Sequence, residues 1–150
     1  MHEMLGNQYF MVRNFNSAVD EFEIAMVEQP NNFKIKKKLV VSYTQIGKPQ
    51  KALELFLIIS QKDINIIFNT DLVKDDCPCP ELIPLIESKE KLNENSFDFY
   101  ITLAILWAFC DKYRSLEYFN KAKLISPNNK ILNEIINSFN DHFNSIEFAH

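Results

Sequence analysis

One side-chain spacing recurs three times along this chain and limits what it can become. Ala18, Phe22 and Ala25 stand four and three residues apart, and Pro30 follows five later with Asn31-Asn32 behind it. Ser115, Phe119 and Ala122 keep the same spacing and are followed by Pro127-Asn128-Asn129. Ala52, Phe56 and Ile59 keep it again, 34 residues after Ala18, and end at Ile64. Steps of four and three put three side chains on one face of a helix. Small residues around a large one let a second helix approach closely. Proline beyond the helix stops it, because it lacks the N–H that the ladder needs, and the asparagines offer a cap to the next helix. A unit of this length repeated along a chain predicts stacked helices sharing one continuous core.

The rest of the sequence agrees with helices and excludes several alternatives. There are only two glycines among 150 residues, too few for a phosphate-cradling loop or a dinucleotide fingerprint. The 13 phenylalanines suit helix packed on helix. The net charge of -4 runs against a phosphate-gripping surface, so no nucleic acid is expected as partner. The longest apolar run, Leu103 to Cys110, is far short of the roughly 20 residues that span a bilayer, and Met1-His2-Glu3-Met4 opens no basic-then-apolar leader. A cytoplasmic protein with no membrane partner is the expectation.

The segment ahead of the first spacing supplies the partner helix. Leu5-Gly6 is followed by Tyr9, three beyond the glycine. A Leu-Gly pair with this tyrosine, followed by the Ala, Phe, Ala and Pro positions, resembles the tetratricopeptide repeat (TPR) family. The resemblance implies an all-α, right-handed α-α superhelix of helix pairs over the single domain 1-150. Repeats would cover about 1-32, 33-66 and 96-129, with a degenerate one at 67-95 and a capping helix at 130-148. Leu39-Val40 and Tyr43 mark the second repeat, which departs from the pattern at Val40, where a small residue is usual, and at Ile64, where proline is usual. Leu103-Ala104 and Trp107 take the marked positions of the later repeat. Gly6 would sit where paired helices touch, and Gly47 in a turn that favours a left-handed backbone. The middle segment is broken by Pro78 and Pro80, with a short helix expected over Glu81 to Leu92 and Pro84 tolerable only in its first turn.

The family's first helices line a concave groove, here Met1–Arg13, Phe33–Ile46 and Asp98–Cys110. The resemblance therefore implies that Asn7, Phe10 and Met11 face it beside Lys34, Lys37, Lys38, Val41, Thr44 and Gln45. Basic side chains next to apolar ones suit an acidic, partly hydrophobic protein or peptide. Chaperone-binding members clamp a terminal carboxylate. Asn7 matches that set, but Glu3 and Lys38 replace its first lysine and second asparagine, so no such clamp is expected.

No Ser-His-Asp or Cys-His set is evident, so no enzyme activity and no cofactor are expected. Cys77-Pro78-Cys79 could hold a metal ion with help from Cys110 or a histidine, yet ligand pairs usually have a wider gap, so Cys77 and Cys79 remain weak candidates beside a plain loop. His2, His142 and His150 share no helical face at ligand spacing. Trp107, Phe109, Tyr113, Tyr118 and Phe119 read as core. Two alternatives stand beside the interaction module. One is a metal- or redox-responsive regulator acting through Cys77 and Cys79. The other is a self-assembling homo-oligomer, since no helix precedes the first repeat and its uncovered apolar end favours dimerisation or points to a missing upstream segment.

Overall fold

The computed structural model describes residues 1–148, and helices are their only regular secondary structure. Three helix pairs carry the repeated spacing. The first is α1 (His2–Met11) with α2 (Phe15–Glu28), the second α3 (Phe33–Gln45) with α4 (Pro49–Asp63). A short α5 (Asn65–Phe68) and α6 (Cys79–Glu87) follow, then a 3-10 turn, Glu90–Asn93. The third pair is α7 (Phe97–Ala108) with α8 (Lys112–Ile125), and α9 (Lys130–Phe148) ends the chain. Successive helices pack on one another from α1 to α4, and the whole is an α-α superhelix closed by a terminal helix. No described helix is long and apolar enough to cross a membrane.

All nine positions of the repeated spacing are wholly buried: Ala18, Phe22, Ala25, Ala52, Phe56, Ile59, Ser115, Phe119 and Ala122 each have 0% exposure. The small residues allow the expected close approach. A Cβ added to Gly6 would stand 2.6 Å from the Phe22 ring. In the third pair Ser115 Oγ donates to the carbonyl of Ala104 at 2.6 Å. The caps are also where the sequence puts them. Asn32 Oδ1 accepts from Lys34 N–H at 3.2 Å and Asn129 Oδ1 from Leu132 N–H at 3.0 Å, satisfying backbone donors at helix starts.

Ile64 has a visible consequence. Without the proline, Ile64 keeps a helical backbone, φ -63 and ψ -23, and the chain runs on into α5. Residues 67–95, read from the sequence as a shortened repeat, form no helix pair of their own. They hold the end of α5, a loop, α6 and the 3-10 turn, and α7 packs directly against α4. The third regular pair therefore stacks on the second, and the segment between them is an insert. Its helix begins at Cys79, two residues earlier than expected, with Pro80 in the first turn. Pro84 lies inside α6, beyond that first turn, where it withholds one ladder hydrogen bond.

α9 packs on α8 and on α4. Phe139 is wholly buried, 5.4 Å from the Phe119 ring and 5.1 Å from that of Phe68. Leu132, Ile135 and Ile136 are buried with it, while Asn137 and Asp141 are exposed. Phe109, Tyr118 and Phe119 lie in the core as expected. Tyr113 does not: it is 62% exposed and stacks on Phe143 at the surface.

Candidate functional site

The basic run of α3 faces the insert. Lys34, Lys37, Lys38 and Val41 surround one cavity with Phe10 of α1 and Phe109 at the end of α7. Thr70, Asp75, Cys77 and Pro78 of the insert complete its wall. The space left measures about 20 Å³, enough for a water or two and too little for a side chain. The insert thus packs closely over the basic run of α3, and the packed segment is acidic. From Asn69 to Asn95 there are seven carboxylates against three lysines, a balance of -4 that equals the charge of the whole chain.

Charge holds the segment in place. Lys37 Nζ donates to Asp75 Oδ2 at 3.2 Å, with the two side chains only 12% and 22% exposed. Such shelter makes the pair less screened than an ordinary surface bridge. Arg13, in the turn after α1, grips the insert twice. Its Nη2 and Nε donate to the two oxygens of Glu81 at 2.9 and 3.3 Å, and its Nη1 donates to Asp76 at 3.4 Å. The bidentate bond from Arg13 holds the Glu81 carboxyl below its usual range and, in return, raises the guanidinium pKa. At the far end of α6, Glu87 Oε2 accepts from Tyr118 Oη at 2.7 Å and from Trp107 Nε1 at 3.3 Å.

Backbone strain sits at this contact. Arg13 and Asp76, which pair with one another, are the two described non-glycine residues with positive φ, at 62° and 49°. Such values cost a residue with a Cβ roughly 1–2 kcal/mol, and surrounding contacts must sustain them. In the next repeat, 34 residues on, the turn residue equivalent to Arg13 is Gly47, with φ 74°.

The structure divides the residues expected in the groove. Phe10, Lys34, Lys37, Lys38 and Val41 meet at the filled cavity, and Phe10 and Val41 are buried. Asn7 stands beside them, its Oδ1 accepting from Lys38 Nζ at 2.9 Å. Thr44 and Gln45 lie further along α3 in a separate cleft of about 360 Å³, shared with Pro49, Ile86, Phe99 and Thr102. Met11 is 65% exposed and lines neither space. Lys38 makes no ion pair among the described residues. Burial lowers its pKa, against the pull of Asp76, Asp75 and Glu3.

Two of the three cysteines meet behind the same loop. Cys77 Sγ lies 2.9 Å from Cys79 Sγ, and Cys110 stands just past α7. Cys79 is wholly buried, Cys77 half-buried and Cys110 exposed. Burial and the hydrogen bond with Cys77 push the Cys79 thiol well above the ordinary range. Among the described residues no group of three or more His, Cys, Asp or Glu is arranged to hold a metal ion. His2 pairs with Glu21 at 2.7 Å, His142 with Lys112 at 2.9 Å, and His150 lies outside the described residues.

Sequence reasoning missed Arg13, Asp75, Asp76 and Glu81 as partners. One signal was present, since aligning the repeats puts Arg13 opposite Gly47, an unusual residue for a left-handed turn. No family model matches the chain, and no curated protein does. A solved structure, "Crystal structure of MamA protein", is similar to it with a TM-score of 0.39 and 20% identity, over 84% of this chain and 72% of that one.

Proposed function

We propose that this protein is a TPR-type interaction module that takes up an acidic, partly apolar segment of a partner protein in the groove between α1, α3 and α7. Its own insert acts as the resident occupant, which the partner must displace. This is a binding function, with affinity supplied by Phe10 and Val41 and orientation by the basic residues around them.

The observation that carries this reading is the Lys37–Asp75 pair set over an apolar floor. The insert has the chemistry the groove lysines would select, acidic residues beside apolar ones. Lys34 and Lys38 make no ion pair among the described residues, so two cations remain to receive further carboxylates. A tethered segment competes at a local concentration of order mM, so a partner must bind well below that to enter.

The test uses the insert as its own ligand. A labelled synthetic peptide spanning residues 69–78, with serine in place of Cys77, is titrated into the full chain. Wild type should bind it weakly, because the site is occupied. The double variant Asp75→Asn, Asp76→Asn should bind at least about tenfold more tightly, and adding Lys37→Glu should remove the gain. A double variant that binds no better than wild type would refute the reading. The double variant is also the proper bait for capturing the natural partner.

A further inference from the structure

Groove binding makes no use of thiol chemistry, yet the fold sets two thiols side by side. Cys77 ends the loop, Cys79 opens α6, and their sulfurs are 2.9 Å apart. Closing that gap to a bonded pair takes under about 1 Å of movement. The backbone between them is already bent for it. Buried Pro78 has φ -84 and ψ 1, a turn that draws the flanking Cα atoms together; a disulfide needs them within about 7 Å. Both ends of the turn are tied. Cys77 N–H donates to the Leu72 carbonyl at 3.0 Å, and the Pro78 carbonyl accepts from Glu81 and Leu82 N–H at 2.9 and 3.0 Å. The two thiols also differ as an attacking and a resolving thiol must differ. Cys77 is only half-buried, and its hydrogen bond with Cys79 lowers its pKa against burial, with help from Lys37. Cys79 has no exposed surface, so nothing from solvent reaches its sulfur, but the sulfur of Cys77 does.

We propose that Cys77 and Cys79 are a thiol–disulfide exchange site for low-molecular-weight disulfides, with Cys77 reacting first and Cys79 closing an internal disulfide onto it. The thiolate of Cys77 attacks one sulfur of the small disulfide. A new S–S bond forms, the old one breaks, and the departing sulfur leaves as a thiolate that takes up a proton. Cys77 now carries a mixed disulfide. Cys79 then loses its proton and attacks the sulfur of Cys77. The Cys77–Cys79 bond forms, the mixed disulfide breaks, and the second small thiol leaves with that proton. Two protein thiols are oxidised by two electrons, and the small disulfide is reduced by two to a pair of thiols. An excess of the small thiol reverses both steps. The ring holds Pro78 in its turn and leaves a detached loop fewer conformations, which favours the docked one. The inference stands apart from the groove reading, since it needs only the thiol geometry.

Peptide mapping tests it on the full chain. The protein is equilibrated with hydroxyethyl disulfide and its thiol, quenched with acid, unfolded, alkylated and cut with trypsin without reduction. Cleavage after Lys74 and Lys89 gives a peptide 75–89 that holds Cys77 and Cys79 but not Cys110. From wild type it should be recovered unalkylated and two hydrogens lighter than its dithiol form. Cys110→Ser, a change at an exposed position, should keep that internal link. Cys79→Ala should stop at the mixed disulfide on Cys77. Repeating the equilibration in urea reads the part played by the fold: the folded chain should be oxidised with an equilibrium constant at least about tenfold larger. Wild type that stays at the mixed disulfide would overturn the proposal, as would a link to Cys110 in its place or equally ready oxidation in urea.

Discussion

The stacked helix pairs and the insert between them are held by different forces. The pairs rest on wholly buried aromatic and small residues, with Phe22, Phe56, Phe119 and Phe139 among the largest. The insert has three buried apolar side chains, those of Pro78, Cys79 and Ile83, between Phe68 and Phe97. Cys77, Leu82 and Ile86 pack at the edge of the core, and charged and polar contacts at Asp75, Asp76, Glu81, Glu87 and Glu90 add to the hold. Apolar burial is worth several kcal/mol per side chain and is hard to reverse locally. Exposed charge pairs are worth at most about 1 kcal/mol each. The stack is therefore the scaffold, and the insert, with fewer buried apolar side chains, is the more weakly held part.

The sharpest way to widen this contrast is to damage the stack. Phe119→Ala empties the place where α8, α4 and α9 meet, and urea denaturation should show a loss of about 3–5 kcal/mol. Gly6→Ala comes next. Its Cβ would stand 2.6 Å from the Phe22 ring, within a packed pair, so a loss of about 1–3 kcal/mol is expected in the same assay. A smaller loss than that of an exposed alanine substitution would mean that α1 and α2 can separate without strain.

The two equivalent turns give a finer comparison, because one belongs to the stack alone and the other also holds the insert. Gly47 has φ 74° with nothing within 4 Å of an added Cβ. Gly47→Ala should therefore cost about 1 kcal/mol through the backbone only. Arg13→Gly should move the other way in part, relieving a left-handed arginine by roughly 1 kcal/mol while releasing Asp76 and Glu81. Global stability should change little. Amide exchange in residues 70–82 should rise, and that in α2 and α4 should not. Equal increases in both regions would show that the insert and stack open together.

The smallest effect concerns pH. Glu81 has its folded pKa held below 4.5 by Arg13. The contribution of the pair is complete above that value and is lost as pH falls through the lower folded value. Acidification should loosen the amides around Glu81 only below the usual carboxylate range. Arg13→Gly should remove that pH response. Loosening already near neutral pH would mean that another group holds α6.

Much of the fold could be read from residues alone. The four-and-three spacing located α2, α4 and α8, and the Pro-Asn-Asn signals located the caps of α3 and α9, because both depend on neighbours within one turn. The limits appeared where distance along the chain grew. The basic run of α3 was visible as a run, but not that Asp75 covers it. Arg13 and Glu81 lie 68 residues apart, and nothing in a charge pattern says which carboxylate a guanidinium will meet. The three cysteines show the same limit. Cys77 and Cys79 drew notice by adjacency, while the full burial of Cys79 and the exposure of Cys110 came from how α6 and α7 pack.

By itself, then, the sequence determined that the chain is helical, where its pairs begin and end, and which faces they bury. Those properties follow from periodicity, capping and proline, which act over a few residues. Only the tertiary structure decided that residues 67–95 leave the stack and that their acidic loop lies against the basic run of α3. Ion pairs and thiol contacts have no period and no register, so their partners are chosen by the packing of everything between them.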